Sequence, residues 1–390
     1  MKIAIVCGHF MPEMGYVEVY IAHQLALKNN YNVAVITTAL KPSYVKKIKT
    51  TTTYNVGAEI HPDYGYTIFR LNTFFSLGQM VLSNGITKTV QQFAPDLIIV
   101  IGVGKLFPYP VYKLHHQFKI VTLLGDSSDN QKNDTKKISI ASIRKLLKTP
   151  VYKKAVHYSE VLFPYTPETI ALVKKIIPAS LHVLAEKKAV PISLGFDASK
   201  FYFDEHERNK TRKNLKIAAD TLLLITATRI VSYKKLEQII DWVDECNGKG
   251  MKLHYVIVGF FDDAYSQEVQ QYIAQQKYAH QFTCLPFLPI NEVRTLYAAA
   301  DFGYFPTAVI SIFEAMGTGL PLVLPLKENV SHILDNKTSG FYIENDAMEL
   351  TFEKIIHLIT DKKFNRAALV TQNQQNYSWK SLVEKVINSC

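Results

Sequence analysis

Cysteine is sparse and scattered in this 390-residue chain: Cys7, Cys246, Cys284 and Cys390 form no CxxC pair, and no histidine stands at a zinc-ligand spacing from them. They point to a reducing, cytoplasmic setting, and no structural metal or other cofactor is expected. Long apolar runs are missing as well. No stretch approaches the ~20 residues that span a bilayer, so the chain is expected to be soluble, or at most peripheral at the inner face of a membrane. The first apolar run, from Ile3 to Val6, ends near His9 with no small-residue cleavage site behind it. It reads as a buried first strand rather than a secretory leader. There is no G-x-G-x-x-G, hence no nicotinamide or flavin dinucleotide fingerprint. No solenoid repeat or low-complexity tract interrupts the chain.

What is plentiful is positive charge. Lys and Arg number 44 against 34 Asp and Glu, a formal net charge of +10, which favours an anionic partner. Between residues 132 and 154 stand Lys132, Lys136, Lys137, Arg144, Lys145, Lys148, Lys153 and Lys154 against one acid, Asp134. Ile140, Ile143, Leu147 and Val151 fall among them at helical spacing, making a basic amphipathic segment. Two readings stay open: a solvated face over a buried stripe, or docking on an anionic membrane surface. Nucleic acid is not expected, because no recognised module accompanies the charge.

Apolar runs rich in Val, Ile and Leu recur at KIAIV, NVAVITT, TIFRL, DLIIVIG, KIVTLLG and VLFPYT, and again from residue 221 at TLLLITAT, KLHYVIVG, FTCLPF, DFGYFP, PLVLP and GFYI. Continuous rather than alternating runs suit parallel strands covered on both faces. The rhythm pauses around Val190 to Glu207, where an interdomain linker is expected. The fold class is therefore α/β, with two Rossmann-like doubly wound domains facing across a cleft. The expected boundaries are 1–195, 196–370 and a C-terminal helix, 371–390, packing back on the first domain. Ligands of such sheets sit beyond the carboxyl ends of the strands.

Three stretches carry candidate chemistry. In "ATRIVSYKK", Arg229 and Lys234 stand five residues apart across a turn at a strand end, where a guanidinium fork and an ammonium can converge on one anion. In "SIFEAMGTGLPLVLP", Ser311 and Glu314 have the S-x-x-E spacing of a capping box. The other reading puts Glu314 at the positive end of a helix, accepting from ligand hydroxyls, with the free N–H groups near Ser311 and Ile312 facing a phosphate. Gly317 and Gly319 let neighbours approach closely. In "HFMPEMGYVEVYIAHQLA", Gly15 permits a loop to close over a ligand, and His9 is a candidate cleft residue.

These three sites, in this order, resemble the retaining glycosyltransferases of the GT-B fold, family 4 in particular. "PISLGFDASKF" is similar to that family's interdomain "PNGVDxxxF", and "VIVGFFDD" to its "xIVGxGP". "PFLPINEVRTLYAAADFGYFPT" is similar to "GxVxxxELxxLYxxADxxxxPS", "EAMGTGLPLVLP" to "EAMAxGxPVVxT" and "NKTSGFYI" to "xxxxGxLV". In the first half only the Gly15 loop and "FAPDLIIV" match. The resemblance implies that Arg229 and Lys234 bind the donor diphosphate, that Glu314 holds the ribose, and that the Gly15 backbone closes over the phosphate. The chain departs from the pattern at Pro306, which replaces the first acid of E-x7-E, at a shortened loop from Thr307 to Ile310, at Gly125 in place of a histidine, and at Lys235 in place of a glycine. Asp126 is the candidate to take the missing histidine's place.

The function this implies is transfer of a sugar from a nucleotide-sugar to a glycan or lipid-linked acceptor, with retention and without a metal. The alternatives are a non-catalytic relative that partners another glycosyltransferase, and a sugar-nucleotide epimerase.

Overall fold

A computed structural model describes residues 1–42, 53–126, 138–344, 347–361 and 364–390, with the side chains of the helix Ile138–Tyr158 described from residue 146 onward. Residues 132–137 of the basic segment therefore lie outside the described residues. The chain forms two compact units, Met1–Ser193 with Leu382–Cys390, and Leu194–Ser381. The last nine residues thus belong to the first unit, while the junction falls at Ser193 and Leu194.

In the first unit the chain forms β1 (Lys2–Cys7), β2 (Asn32–Thr38), β3 (Gly57–Ile60), β4 (Thr67–Leu71), β5 (Thr73–Leu77), β6 (Met80–Ser83), β7 (Leu97–Ile101), β8 (Lys119–Leu124) and β9 (Val161–Pro164). Seven of them make one sheet in the order β3-β4-β2-β1-β7-β8-β9, and β5 and β6 pair separately as a hairpin. The sheet is parallel except for β3, which runs antiparallel to β4. Ile3 pairs with Val33 on one side and Leu97 on the other, and Ile3, Ile5, Val35 and Ile99 are all buried. Helices cover both faces, which is why these strands carry apolar residues continuously. Strand order reverses at β1, so the carboxyl ends of β1 and β7 flank the switch point.

The second unit contributes β10 (Leu222–Ala227), β11 (Leu253–Phe260), β12 (Phe282–Pro286), β13 (Phe302–Tyr304), β14 (Leu322–Pro325) and β15 (Gly340–Ile343). They form a parallel sheet in the order β12-β11-β10-β13-β14-β15. Here the switch point lies between β10 and β13, paired through Ile225 and Gly303. One end of this unit is fastened by arginines. Arg208 donates to the carbonyls of Ala298, Ala299 and Ala300 at 3.1, 2.8 and 2.9 Å. Arg212 donates to Ala299, and Arg366 to Ala300 and Tyr297. Three guanidiniums thus gather at the negative end of the helix Ile290–Ala299. Asp301 joins two of them, at 2.5 Å to Arg208 and 3.1 Å to Arg212. Arg366 donates to carbonyls there and lies over the Phe203 ring at 4.3 Å, and burial beside Arg208 pushes its pKa down to about 9. The device fixes the chain entering β13.

Candidate functional site

At the switch point of the second unit, Thr226 at the end of β10 donates to the Tyr304 carbonyl at 2.7 Å, locking β10 to β13. The chains leaving these two strands therefore start side by side. The β10 exit carries Thr228 and Arg229 into a short 3-10 turn, Ser232–Lys234. Arg229 is exposed and makes no ion pair among the described residues. Lys234 is buried. Its ammonium donates to the Thr228 hydroxyl and, at 3.0 Å, to the Arg229 carbonyl. Where two cationic heads converging on one anion were expected, the loop presents one exposed guanidinium, Arg229, and is held in shape by the buried Lys234. Lys235 adopts a left-handed φ of 49° as the cap of that turn, the position where the resemblance has glycine.

Gly259, near the end of β11, supports the same loop and was not singled out from the sequence. Its φ is +116°, and a Cβ there would stand 2.1 Å from the Thr228 carbonyl oxygen. The close approach lets Thr228 N–H reach Val258 O at 2.9 Å and Ile230 N–H reach Gly259 O at 3.3 Å. Only glycine satisfies both the dihedral and the space.

The β13 exit leads into the helix Ile310–Gly317, whose N-cap is Val309, with no side-chain cap. This corrects the capping-box reading: Ser311 lies inside the first turn, so its hydroxyl is not the cap. An extended, β-branched Val309 has no oxygen to offer, and among the described residues no side chain caps the helix's first N–H groups. The Ile312 N–H is used internally, donating to Val309 O at 3.2 Å. Glu314 is half-buried and receives no hydrogen bond or ion pair from the described residues. Desolvation alone pushes its carboxyl up to about 7. An acid in this company needs a partner, and the described residues supply none. Below it the Tyr297 hydroxyl is held in the protonated form by burial and then by the nearby Glu314, against the opposing effect of Ser311. The two glycines answer to packing: a Cβ on Gly317 would come 2.6 Å from the Phe196 ring, and one on Gly319, at φ +67°, 2.7 Å from the Arg366 carbonyl.

Arg229, Lys234, Ser311, Ile312 and Glu314 thus lie on the two chain segments that leave one switch point. Two neighbours escaped the sequence reading. Lys327, just past β14, donates to the Pro306 carbonyl at 3.2 Å, bringing a cation to the place where the resemblance has an acid. Phe261 and Phe287, directly after β11 and β12, are both exposed and stack with centroids 6.0 Å apart. Their signal was positional: each follows a strand on the same edge as Arg229.

The remaining candidates lie on the first unit. Gly15 sits in a tight turn closed by Tyr16 N–H to Met14 O at 2.9 Å, and a Cβ there would stand 2.9 Å from the Tyr20 hydroxyl. The loop is held by Arg70, which donates to Phe10 O at 3.0 Å, and by Tyr54, which donates to Glu13 at 2.6 Å. His9 is buried, its Nδ1 3.0 Å from the Leu40 carbonyl and its Nε2 3.3 Å from the Gln79 carbonyl. Burial pushes its pKa down to about 4, so the neutral ring has one N–H and donates to one of these two carbonyls at a time. Asp126, beyond β8, accepts from the Tyr152 hydroxyl at 2.6 and 2.8 Å, while its own carbonyl accepts from Thr169 at 2.9 Å. Burial raises its pKa against the pull of Tyr152 and Lys148. Among the described residues no helix is long and apolar enough to cross a membrane.

Residues 207–376 match the family Glycosyl transferases group 1, a stretch that lies within the second unit and contains Arg229, Lys234, Ser311, Ile312 and Glu314. A Salmonella typhimurium protein, WcaL, named for glycosyltransferase activity in colanic acid biosynthesis, is 24% identical over 236 residues, 53% of this chain and 55% of that protein. The chain spans about half the length of the curated relatives it matches. Solved structures align over the whole chain. Anabaena HepE in complex with UDP superposes with a TM-score of 0.71 at 16% identity, covering 100% of this chain and 99% of that one. Sucrose-phosphate synthase from Thermosynechococcus elongatus gives 0.69 at 13% identity, covering 100% and 98%. HepE has also been solved with UDP-glucose. The fold is GT-B.

Proposed function

We propose that the chain is a glycosyltransferase that moves a hexose from a nucleotide-sugar, a uridine donor by analogy with HepE, to a glycan or lipid-linked acceptor with retention. The observation that carries this reading is the desolvated Glu314 carboxyl, which receives no hydrogen bond or ion pair among the described residues, on a helix that leaves the same switch point as the loop of the exposed Arg229. A ribose diol would donate to the carboxylate. The diphosphate would take the Arg229 guanidinium and the first N–H groups of the helix, with Lys234 keeping the Arg229 loop in shape. Phe261 and Phe287 would offer the base a stacking surface. As the anomeric bond breaks, positive charge grows on the sugar and negative charge on the departing diphosphate. A fixed guanidinium and a helix N-terminus stabilise that departing charge without reorganising.

The basic helix supports peripheral membrane docking in this reading. Its outward stripe is Leu146, Pro150, Lys153 and His157, apolar and cationic groups suited to an anionic lipid surface. A second reading, a non-catalytic partner of another glycosyltransferase, draws on Pro306, whose side chain offers no carboxylate to the donor sugar. Thermal unfolding against nucleoside diphosphates and their sugars tests both. UDP at 100 times its Kd should stabilise the chain by about 2.7 kcal/mol, and Arg229→Ala should abolish the effect. An unchanged shift in Arg229→Ala would remove that residue from the site, and binding without sugar release across donors would favour the second reading.

A further inference from the structure

Across the sheet of the second unit, successive strand exits carry the groups that the proposed donor needs. Phe287 and Phe261 follow β12 and β11, Arg229 follows β10, and the helix Ile310–Gly317 follows β13. The next exit is that of β14. Neighbouring strands run about 4.8 Å apart, so β14 leaves the sheet roughly 10 Å from β10, with the β13 exit between them. Two residues beyond β14 stands the half-buried Lys327, its ammonium donating to the carbonyl of the buried Pro306 at 3.2 Å. With the base and the diphosphate at the earlier exits, the sugar falls to the β13 and β14 side.

The backbone holds this lysine in place. Leu326 N–H donates to Ile343 O at 2.9 Å, and the Lys327 carbonyl accepts from the Val330 and Ser331 N–H groups at 3.0 and 2.9 Å. Tyr342 anchors the turn that follows, donating from its hydroxyl to Val330 O at 2.6 Å and accepting from Leu334 N–H at 2.8 Å. Of the three ammonium N–H groups, one goes to Pro306 and two remain. The exposed acids Glu328, next in the chain, and Glu344, which follows Ile343, make no ion pair with it among the described residues. An acid here, as the resemblance has, would accept from sugar hydroxyls. An ammonium only donates, and it gains most from an anionic acceptor.

We infer that the donor's sugar is a hexuronate, whose carboxylate accepts from Lys327 while Arg229 and the helix N–H groups hold the diphosphate. This rests on the transferase reading, with its uridine donor, and names the class of sugar transferred. The reversal of charge at Pro306 then changes which donor is chosen.

Calorimetric titration of the full-length chain with UDP, UDP-glucose, UDP-galactose, UDP-glucuronate and UDP-galacturonate tests this. At least one uronate should bind about tenfold or more tighter than its neutral hexose counterpart, a margin within reach of hydrogen bonds between charged groups. Lys327→Gln should erase the margin and leave UDP binding unchanged, which also shows that the variant is folded. Lys327→Arg should keep most of it. Equal affinity within both hexose and uronate pairs, or a margin that survives Lys327→Gln, overturns the inference. So does a loss of UDP itself in Lys327→Gln, which would put the ammonium on the diphosphate. In each of these cases the donor reading stands as long as UDP binds the unmutated chain through Arg229. No UDP binding to the unmutated chain sinks both.

Discussion

Replacing Glu314 by Gln separates a carboxyl kept for a ligand from one that serves the fold. Folding lifts this group from its ordinary 4.5 to about 7 through desolvation, so the protonated acid is the form the folded chain favours. Below about pH 4.5 the carboxyl is protonated in both states, and Glu and Gln should be equally stable. As pH rises, the unfolded chain ionises first and the wild type loses stability, until the folded group ionises near pH 7 and the difference levels off. The separation corresponds to a ceiling of about 3 kcal/mol. In a unit of this size one kcal/mol moves Tm by roughly 2–4 °C. Glu314→Gln should therefore melt about 6–12 °C higher than wild type at pH 8 and within about 1 °C of it at pH 4. The same change should weaken UDP about tenfold, because a charge-assisted acceptor for the ribose becomes a neutral one. Scanning calorimetry across pH with UDP titrations reads both. A variant less stable than wild type at pH 8, or a difference that ignores pH, would mean that the carboxylate has a partner within the protein.

Gly259→Ala should cost about 3 kcal/mol or more, since the added Cβ meets the Thr228 carbonyl at a φ that alanine disfavours. UDP binding should fall with it, because the Arg229 loop must move; denaturant melts and UDP titration check both effects. Phe287→Ala should weaken UDP by about 1 kcal/mol or more and leave pyrophosphate unchanged, as loss of base stacking predicts; parallel titrations of the two ligands decide this.

The twelve apolar runs read from the sequence all become strands, from β1 at Lys2–Cys7 to β15 at Gly340–Ile343, because continuous burial on both faces leaves a pattern that needs no neighbours to be seen. β3, β5 and β6 were not read. They are short, and β3 and β5 are largely exposed, so no long apolar run marks them. S-x-x-E spacing likewise fixes no helix start: the chain leaving β13 turns into its helix at Ile310, before Ser311 could cap it. Spacing placed Arg229 and Lys234 on one loop but said nothing of which head reaches solvent. That depends on Thr228 and on the approach of Gly259 from β11, thirty residues further along. His9 shows the same limit, since the carbonyls that engage it belong to Leu40 and Gln79.

The most direct test of the central claim is a crystal structure of the chain with UDP. The account predicts phosphate oxygens within hydrogen-bonding distance of the Arg229 guanidinium and the first N–H groups of the helix Ile310–Gly317, with ribose hydroxyls on Glu314. A nucleotide bound away from the β10 and β13 exits, with Glu314 still bare, would contradict it.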